Sequence, residues 1–179
     1  MKNIIIIGPV AVGKSTVSVQ LAKLIGMPVV KIDKFRLAYY RELGYDDMFK
    51  TRILEEEGWS GVMHYWKVFD AYSVERFIQD HPGHILDMGG GSTYCVFPED
   101  LQRLKKAFKR SPVVLLLPYP DVNKSLTFLN KRTGWTRTGR NINRDILQNP
   151  SNEALATITI YTAHKTPVQI AREILKHLK

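Results

Sequence analysis

Cysteine is nearly absent: Cys95 is the only one in 179 residues. That excludes an internal disulfide framework and any site built from several thiolates. Long apolar runs are missing as well, and nothing approaches the roughly 20 residues of a membrane span. The first run, Ile4 to Ile7, is four residues long and leads straight into Gly8-Pro9, which does not fit a signal peptide. No membrane partner is expected, and a cytoplasmic protein is. Metal-ligand spacing is also lacking. His64, His81, His84, His164 and His177 are scattered and form no zinc motif. Cys95 has no paired base in sequence and reads as a small buried residue. Apolar residues at 44% and charged residues at 24% exclude disordered, collagen-like and coiled-coil classes. The length suits one domain over residues 1–179.

Acidic residues are few relative to basic ones. Twenty-six Lys and Arg against seventeen Asp and Glu give a net charge of +9. Between Leu101 and Asp145 eleven basic residues meet two acidic ones, while the rest of the chain carries fifteen of each sign. The excess therefore sits in one stretch and points to a local anionic partner. Lys105, Lys106, Lys109 and Arg110 suit a solvated helix end. No groove-reading or aromatic-interleaved motif accompanies them, so nucleic acid is not the expected partner.

Apolar runs alternate with stretches of helical period. Strands are expected at Asn3 to Ile7, Pro28 to Ile32, His84 to Met88, Pro112 to Leu117 and Ala156 to Tyr161. Helices are expected at Lys14 to Ile25, at Pro98 to Lys109 and at Asp121 to Arg132. A further one spans Pro167 to Leu178, opened by its proline. A helical region from about Phe35 to Asp80 is broken near Gly44 and Gly58-Trp59, and Thr133 to Asn143 reads as a basic, polar loop. Strand and helix in alternation imply an α/β fold with a parallel sheet covered on both faces.

Residues 8–15, Gly8-Pro9-Val10-Ala11-Val12-Gly13-Lys14-Ser15, fit G-x-x-x-x-G-K-[ST] at every defined position. A strand precedes them, and a helix follows with Thr16 in its first turn. Such a loop wraps a phosphate in backbone N–H groups, so glycine is wanted where the main chain must approach closely. Lys14 reaches the β- and γ-phosphates, Ser15 offers a hydroxyl to Mg²⁺, and the helix points its N-terminus at the anion. A nucleotide triphosphate is thus the expected ligand.

Four further features carry chemistry. Asp33 stands at the carboxyl end of the second strand, where open α/β sheets bind ligands. It can take or orient the proton of an attacking hydroxyl, or alternatively cap the next helix. Gly89-Gly90-Gly91 offers a side-chain-free backbone to a substrate, or an ordinary strand-to-helix turn. Asp87, just before it, can hold water on Mg²⁺ if strand parity turns it the right way. Arg132, Arg137, Arg140 and Arg144 lie within thirteen residues, with Gly134 and Gly139 as hinges and Trp135 between them. A closing arginine stabilises the charge that spreads during phosphoryl transfer.

Together these motifs resemble the shikimate kinase family of P-loop small-molecule kinases. The likeness rests on Gly-Lys-Ser-Thr at residues 13–16, Asp33, the triple glycine, the arginine-rich stretch and the tail from Asn149-Pro150 to Ile160. It implies a five-stranded parallel sheet in the order 2-3-1-4-5, a lid over about residues 132–145 and an acceptor-binding helical region over about 34–80. It also implies ATP- and Mg²⁺-dependent transfer to a small-molecule alcohol. By resemblance, Asp33 matches the second acid of an Asp-x-Asp pair that holds the substrate hydroxyl, the first being Lys31 here. Gly89, Gly90 and Gly91 would contact the acceptor, Arg132 would lie near adenine, and Arg140 would be the lid arginine, with Arg137 competing.

Two arginines that clamp the family's substrate carboxylate are not matched. Gln148 occupies one position, and Glu55 to Asp70 contains no arginine. That stretch carries Trp59, Tyr65, Trp66 and Phe69, with Tyr72 just beyond. Lysine or glutamine replaces a guanidinium fork poorly, so the expected acceptor is not shikimate, and its pocket is more aromatic and less cationic. The aromatic set serves equally well as helix core. Two other functions remain open: a nucleoside or nucleotide kinase, whose base would stack on these aromatics, and a non-catalytic nucleotide-binding regulator.

Overall fold

In a computed structural model, residues 2–133 and 141–178 are described. Strand β1, Ile4–Ile7, is four buried isoleucines. β-Branched side chains suit a pleated surface covered on both faces. β1 is the middle strand of a five-stranded sheet ordered β2-β3-β1-β4-β5, all pairs parallel. β2 is Val29–Lys31, β3 Ile85–Asp87, β4 Val113–Leu117 and β5 Ile158–Tyr161. The α/β class and the 2-3-1-4-5 order are those expected, with strand ends trimmed by a residue or two. Ile6 pairs with Asp87 on one side and Val114 on the other, so three carboxyl ends converge where the phosphate loop leaves β1.

Eight α-helices occur among the described residues: α1 Lys14–Ile25, α2 Arg36–Glu42, α3 Asp47–Asp80, α4 Pro98–Phe108, α5 Val122–Thr133, α6 Ile142–Gln148, α7 Ser151–Leu155 and α8 Pro167–His177. The alternation along β1 divides the core. Ile4 and Ile6 pack with Leu21 of α1 and with Ile170 and Ile174 of α8. Ile5 and Ile7 pack with Val74 and Phe77 of α3 and with Leu104 and Phe108 of α4. Thr166 caps α8 in a capping box with Gln169, and Pro167 fills the first turn. No helix among the described residues is long and apolar enough to cross a membrane.

One expectation holds and one changes. The break near Gly58 is present within α3, where Gly58 leaves helical geometry at φ 66° and ψ −163° and two helical segments meet across a kink. The expected loop ends early, because Asn141 caps α6 by accepting the Asn143 N–H at 3.1 Å. Helices of two turns or fewer, such as α6 and α7, carry too few apolar positions to show a period.

Candidate active site

The loop after β1 is shaped by Gly8. Its φ is +139°, and a Cβ there would lie 2.4 Å from the Leu116 carbonyl oxygen of β4, so only glycine fits. The loop ends at Lys14, which is 6% exposed. Its Nζ folds back to donate to the Gly8 carbonyl at 2.9 Å and the Pro9 carbonyl at 2.7 Å. Burial lowers its pKa from 10.5 to about 8, opposed by the nearby Asp87 and Asp33 carboxylates. The ammonium is thus held by weak acceptors in a site that favours an added anion.

Ser15 Oγ donates to Asp87 Oδ2 at 2.5 Å. Asp87 closes β3 and is 1% exposed, and its Oδ1 accepts the Gly89 N–H at 3.1 Å. Register decides the question of parity: the Asp87 side chain meets the first turn of α1. A hydroxyl beside a carboxylate suits a hard divalent ion. No group of three or more His, Cys, Asp or Glu forms a metal centre among the described residues. Mg²⁺ here fits only with most of its ligands supplied by phosphate and water.

Beyond the loop, Val12, Gly13 and Thr16 form one wall of a cleft of about 350 Å³. Phe128 and Arg132 of α5 form another, and Thr162, His164, Lys165 and Pro167 close it. Arg132 Nη1 donates to the Ala11 carbonyl at 3.3 Å, and its guanidinium lies 5.2 Å from the Phe128 ring centroid. Arg137 and Arg140 lie outside the described residues, as do Gly134, Trp135 and Gly139. Arg144 is exposed on α6.

On the other side of the loop stands Asp33, in a 3-10 turn, Ile32–Lys34. It does not cap α2, whose cap position is Phe35 with no side-chain hydrogen bond. Asp33 Oδ1 instead pairs with Arg36 Nη2 at 2.7 Å. The triple glycine fills the space between Asp33 and the phosphate loop. A Cβ at Gly89, where φ is +63°, would lie 2.7 Å from Asp33 Oδ1. One at Gly90 would lie 2.4 Å from Val10 Cγ2. The bare backbone is what lets these three segments touch.

Three residues at this site belong to no motif in the sequence. Arg36 is the first. The second is Lys67 of α3, 5% exposed, whose Nζ donates to Asp70 Oδ2 at 2.5 Å and to the Gly91 carbonyl at 2.7 Å. Tyr40 Oη also donates to Asp70, and burial beside that carboxylate pushes the Tyr40 pKa far up. Lys67 also lies 4.9 Å from the Tyr94 ring centroid, at a cavity of about 90 Å³ lined by Met63, His64, Lys67, Tyr94 and Val96. Part of the aromatic set serves as helix core, the alternative that the sequence left open. Tyr65 and Phe69 pack with Tyr40 and Tyr45 in a core cluster, Tyr72 donates to Glu42 at 2.6 Å, and cations face the triple glycine. A signal was present: a Lys-x-x-Asp pair inside an otherwise apolar helical face. The third is Asn143, buried at the start of α6. Its Oδ1 accepts the Val10 N–H at 2.8 Å and its Nδ2 donates to the Val10 carbonyl at 3.2 Å.

A family model described as "Shikimate kinase" matches residues 10–179. A shikimate kinase of Leptospira borgpetersenii serovar Hardjo-bovis is 38% identical over 92 residues, which is 50% of this chain and 46% of that protein. The ATP-dependent protease ATPase subunit HslU of Halalkalibacterium halodurans is 38% identical over 69 residues, 34% of this chain and 15% of that protein. The chain thus spans less than half the length of these curated relatives. Among solved structures, shikimate kinase from Acinetobacter baumannii in complex with shikimate has the same fold. It covers 99% of this chain and 93% of its own, with a TM-score of 0.63 and 24% identity.

Proposed function

The chain belongs to the shikimate kinase family, and from that premise we propose that it transfers the γ-phosphoryl group of ATP to a hydroxyl of a small molecule other than shikimate. One observation carries the reading. Gly90 rests against Val10 of the phosphate loop while Gly89 rests against the Asp33 carboxylate, so a bound phosphate and an acceptor hydroxyl would share one boundary.

Each side chain then has a task. Lys14 exchanges the Gly8 and Pro9 carbonyls for the β- and γ-phosphates, together with the N–H groups of Ala11 to Thr16, that of Val10 being held by Asn143. Ser15 and Asp87 hold Mg²⁺, directly or through water, and that ion supplies neutralisation of the phosphate charge. Asp33 Oδ2 takes the proton of the acceptor hydroxyl as the oxygen attacks. Arg132 closes the adenine side, and Arg140 or Arg137 stabilises the moving phosphoryl group. The Gly89–Gly91 backbone and Lys67 hold the acceptor.

The departure from shikimate rests on forks. A carboxylate is best held by a bidentate guanidinium. Gln148 is exposed on α6, Lys67 offers a point charge, and Arg36 is committed to Asp33 and Ser92. An ATP-consumption screen against polyols, sugars, hydroxy acids and nucleosides tests the proposal. ADP release that needs one small alcohol supports it. Efficient turnover of shikimate refutes the departure, and release that follows nucleosides selects the nucleoside kinase reading. ATP binding without turnover for any acceptor selects a regulator.

A further inference from the structure

We infer that Arg36 is a positioning residue that fixes the rotamer of Asp33 for proton abstraction. The inference rests on Asp33 being the group that meets the acceptor hydroxyl.

A single nitrogen does the work. Arg36 Nη2 lies 2.7 Å from Asp33 Oδ1 and donates to Ser92 Oγ at 2.8 Å. Ser92 is buried and directly follows the triple glycine. One guanidinium nitrogen therefore ties the turn after β2 to the segment after β3, across the acceptor boundary. The Asp33 side chain is 60% exposed, and an aspartate so open has no packing to hold its χ angles. Arg36 supplies that hold. A bidentate fork would occupy both carboxylate oxygens. The contact made here engages Oδ1 and leaves Oδ2 for a hydroxyl.

Room for this pair comes from Gly89. A Cβ there would lie 2.7 Å from Asp33 Oδ1 and 2.9 Å from Arg36 Nη2, so a glycine leaves both side chains where they stand. Stability does not account for Arg36. Its Nε is buried without a hydrogen-bond partner, which is unfavourable, and an ion pair to an exposed carboxylate contributes little. An apolar side chain at this site would avoid the unpaired donor. What the arginine adds is orientation of the carboxylate.

A double-mutant cycle tests this, using Arg36→Met, Asp33→Asn, the double variant and Arg36→Lys, assayed with the acceptor that the screen identifies. Arg36→Met should lower kcat about 10- to 100-fold, the scale of a misplaced reacting group, with the KM for ATP within about twofold. In the Asp33→Asn background the same change should lower kcat by less than about twofold. Arg36→Lys should restore most of kcat, because one ammonium can meet both Asp33 and Ser92. An equal loss in both backgrounds, or a rise in the ATP KM at unchanged kcat, overturns the inference. Crystal structures of the native protein and of Arg36→Met, which need no acceptor, separate the two claims. If the native chain turns over nothing, the kinase reading fails. A single Asp33 rotamer in the native protein that spreads over several in Arg36→Met then upholds the positioning claim, and the same single rotamer in both overturns it.

Discussion

Replacing Lys14 with Met should make the stability of the nucleotide-free protein less dependent on pH, by an amount set by burial. In the native state Lys14 has a pKa of about 8, lowered from 10.5. Between these values the unfolded chain binds the proton and the folded chain does not, so stability rises with pH in that window. Below pH 8 the folded protein carries a buried ammonium at a cost of roughly 3 kcal/mol, since each tenfold loss of proton affinity corresponds to about 1.4 kcal/mol. Above 10.5 that cost is gone. From pH 7 to 9.5 the wild type should therefore gain about 2 kcal/mol relative to Lys14→Met. The methionine also leaves the Gly8 and Pro9 carbonyls without their donor, but that loss is independent of pH and cancels in the difference. Raised tyrosine pKa values, that of Tyr39 near 12 among them, are common to both proteins and cancel too. Urea unfolding of both at several pH values reads the effect directly. The same burial requires proton uptake when ATP binds near pH 8 to 9, because phosphate favours the charged lysine. Calorimetry in buffers of different ionisation enthalpy measures that uptake. A wild-type-minus-variant difference that stays flat from pH 7 to 9.5 would refute the reasoning, and so would ATP binding without proton uptake.

Gly8→Ala should destabilise the fold by several kcal/mol in thermal or urea unfolding, since a Cβ 2.4 Å from a backbone oxygen adds a clash to the roughly 1–3 kcal/mol of an unfavourable φ; a loss below about 1 kcal/mol would show that the loop can shift. Asn143→Ala leaves both polar groups of Val10 unpaired and should cost about 1–3 kcal/mol while raising the KM for ATP more than it lowers kcat. An unchanged ATP KM would remove Asn143 from the nucleotide site. Asp33→Asn should lower kcat far more than ATP affinity, and a loss confined to affinity would move Asp33 out of the acceptor site. Arg140→Ala should mainly lower kcat; if Arg137→Ala does so instead, the lid arginine lies three residues earlier.

The phosphate side of the site was legible in the sequence because backbone geometry dictates its residues. Gly8 has no substitute under Leu116, and Lys14 and Ser15 follow at fixed spacing on the first turn of α1. The sheet was legible because Ile4 to Ile7 and Val113 to Leu117 are continuous apolar runs that only a strand buried on both faces explains. Asp87 was half legible. Its position at the end of β3 could be read, but the pairing of Ile6 with Asp87 that turns it toward Ser15 is a property of register. Asn143 was not legible, because its partner is Val10, 133 residues away, and the contact uses main-chain atoms that any residue supplies.

The acceptor side failed to show itself for a different reason, and that reason bears on what it binds. Arg36, Lys67, Asp70 and Ser92 come from three separate segments and converge on the end of the triple glycine, where Lys67 donates to the Gly91 carbonyl and Arg36 to Ser92. Composition within α3 pointed to aromatic residues, yet Tyr65 and Phe69 are committed to the core by contact with Tyr40 and Tyr45. What remains for an acceptor is one open carboxylate oxygen, a strip of glycine backbone and a lysine already bonded to Asp70 and Gly91. Hydroxyl groups satisfy the first two as donor and acceptor. A free carboxylate on the acceptor would have to share Lys67, whose ammonium already gives two of its three N–H groups to Asp70 and Gly91, and it would meet a point charge where a fork holds it best. On this reasoning the selectivity of the site lies in the one donor that Lys67 has left. Lys67→Met leaves Asp70 buried beside Tyr40 without its cation and should destabilise the fold by about 3–5 kcal/mol in urea. Lys67→Met combined with Asp70→Asn removes that charge: it should cripple turnover of an acceptor that carries a carboxylate and be far milder for a polyol, and equal losses for both kinds of acceptor would remove Lys67 from the acceptor site.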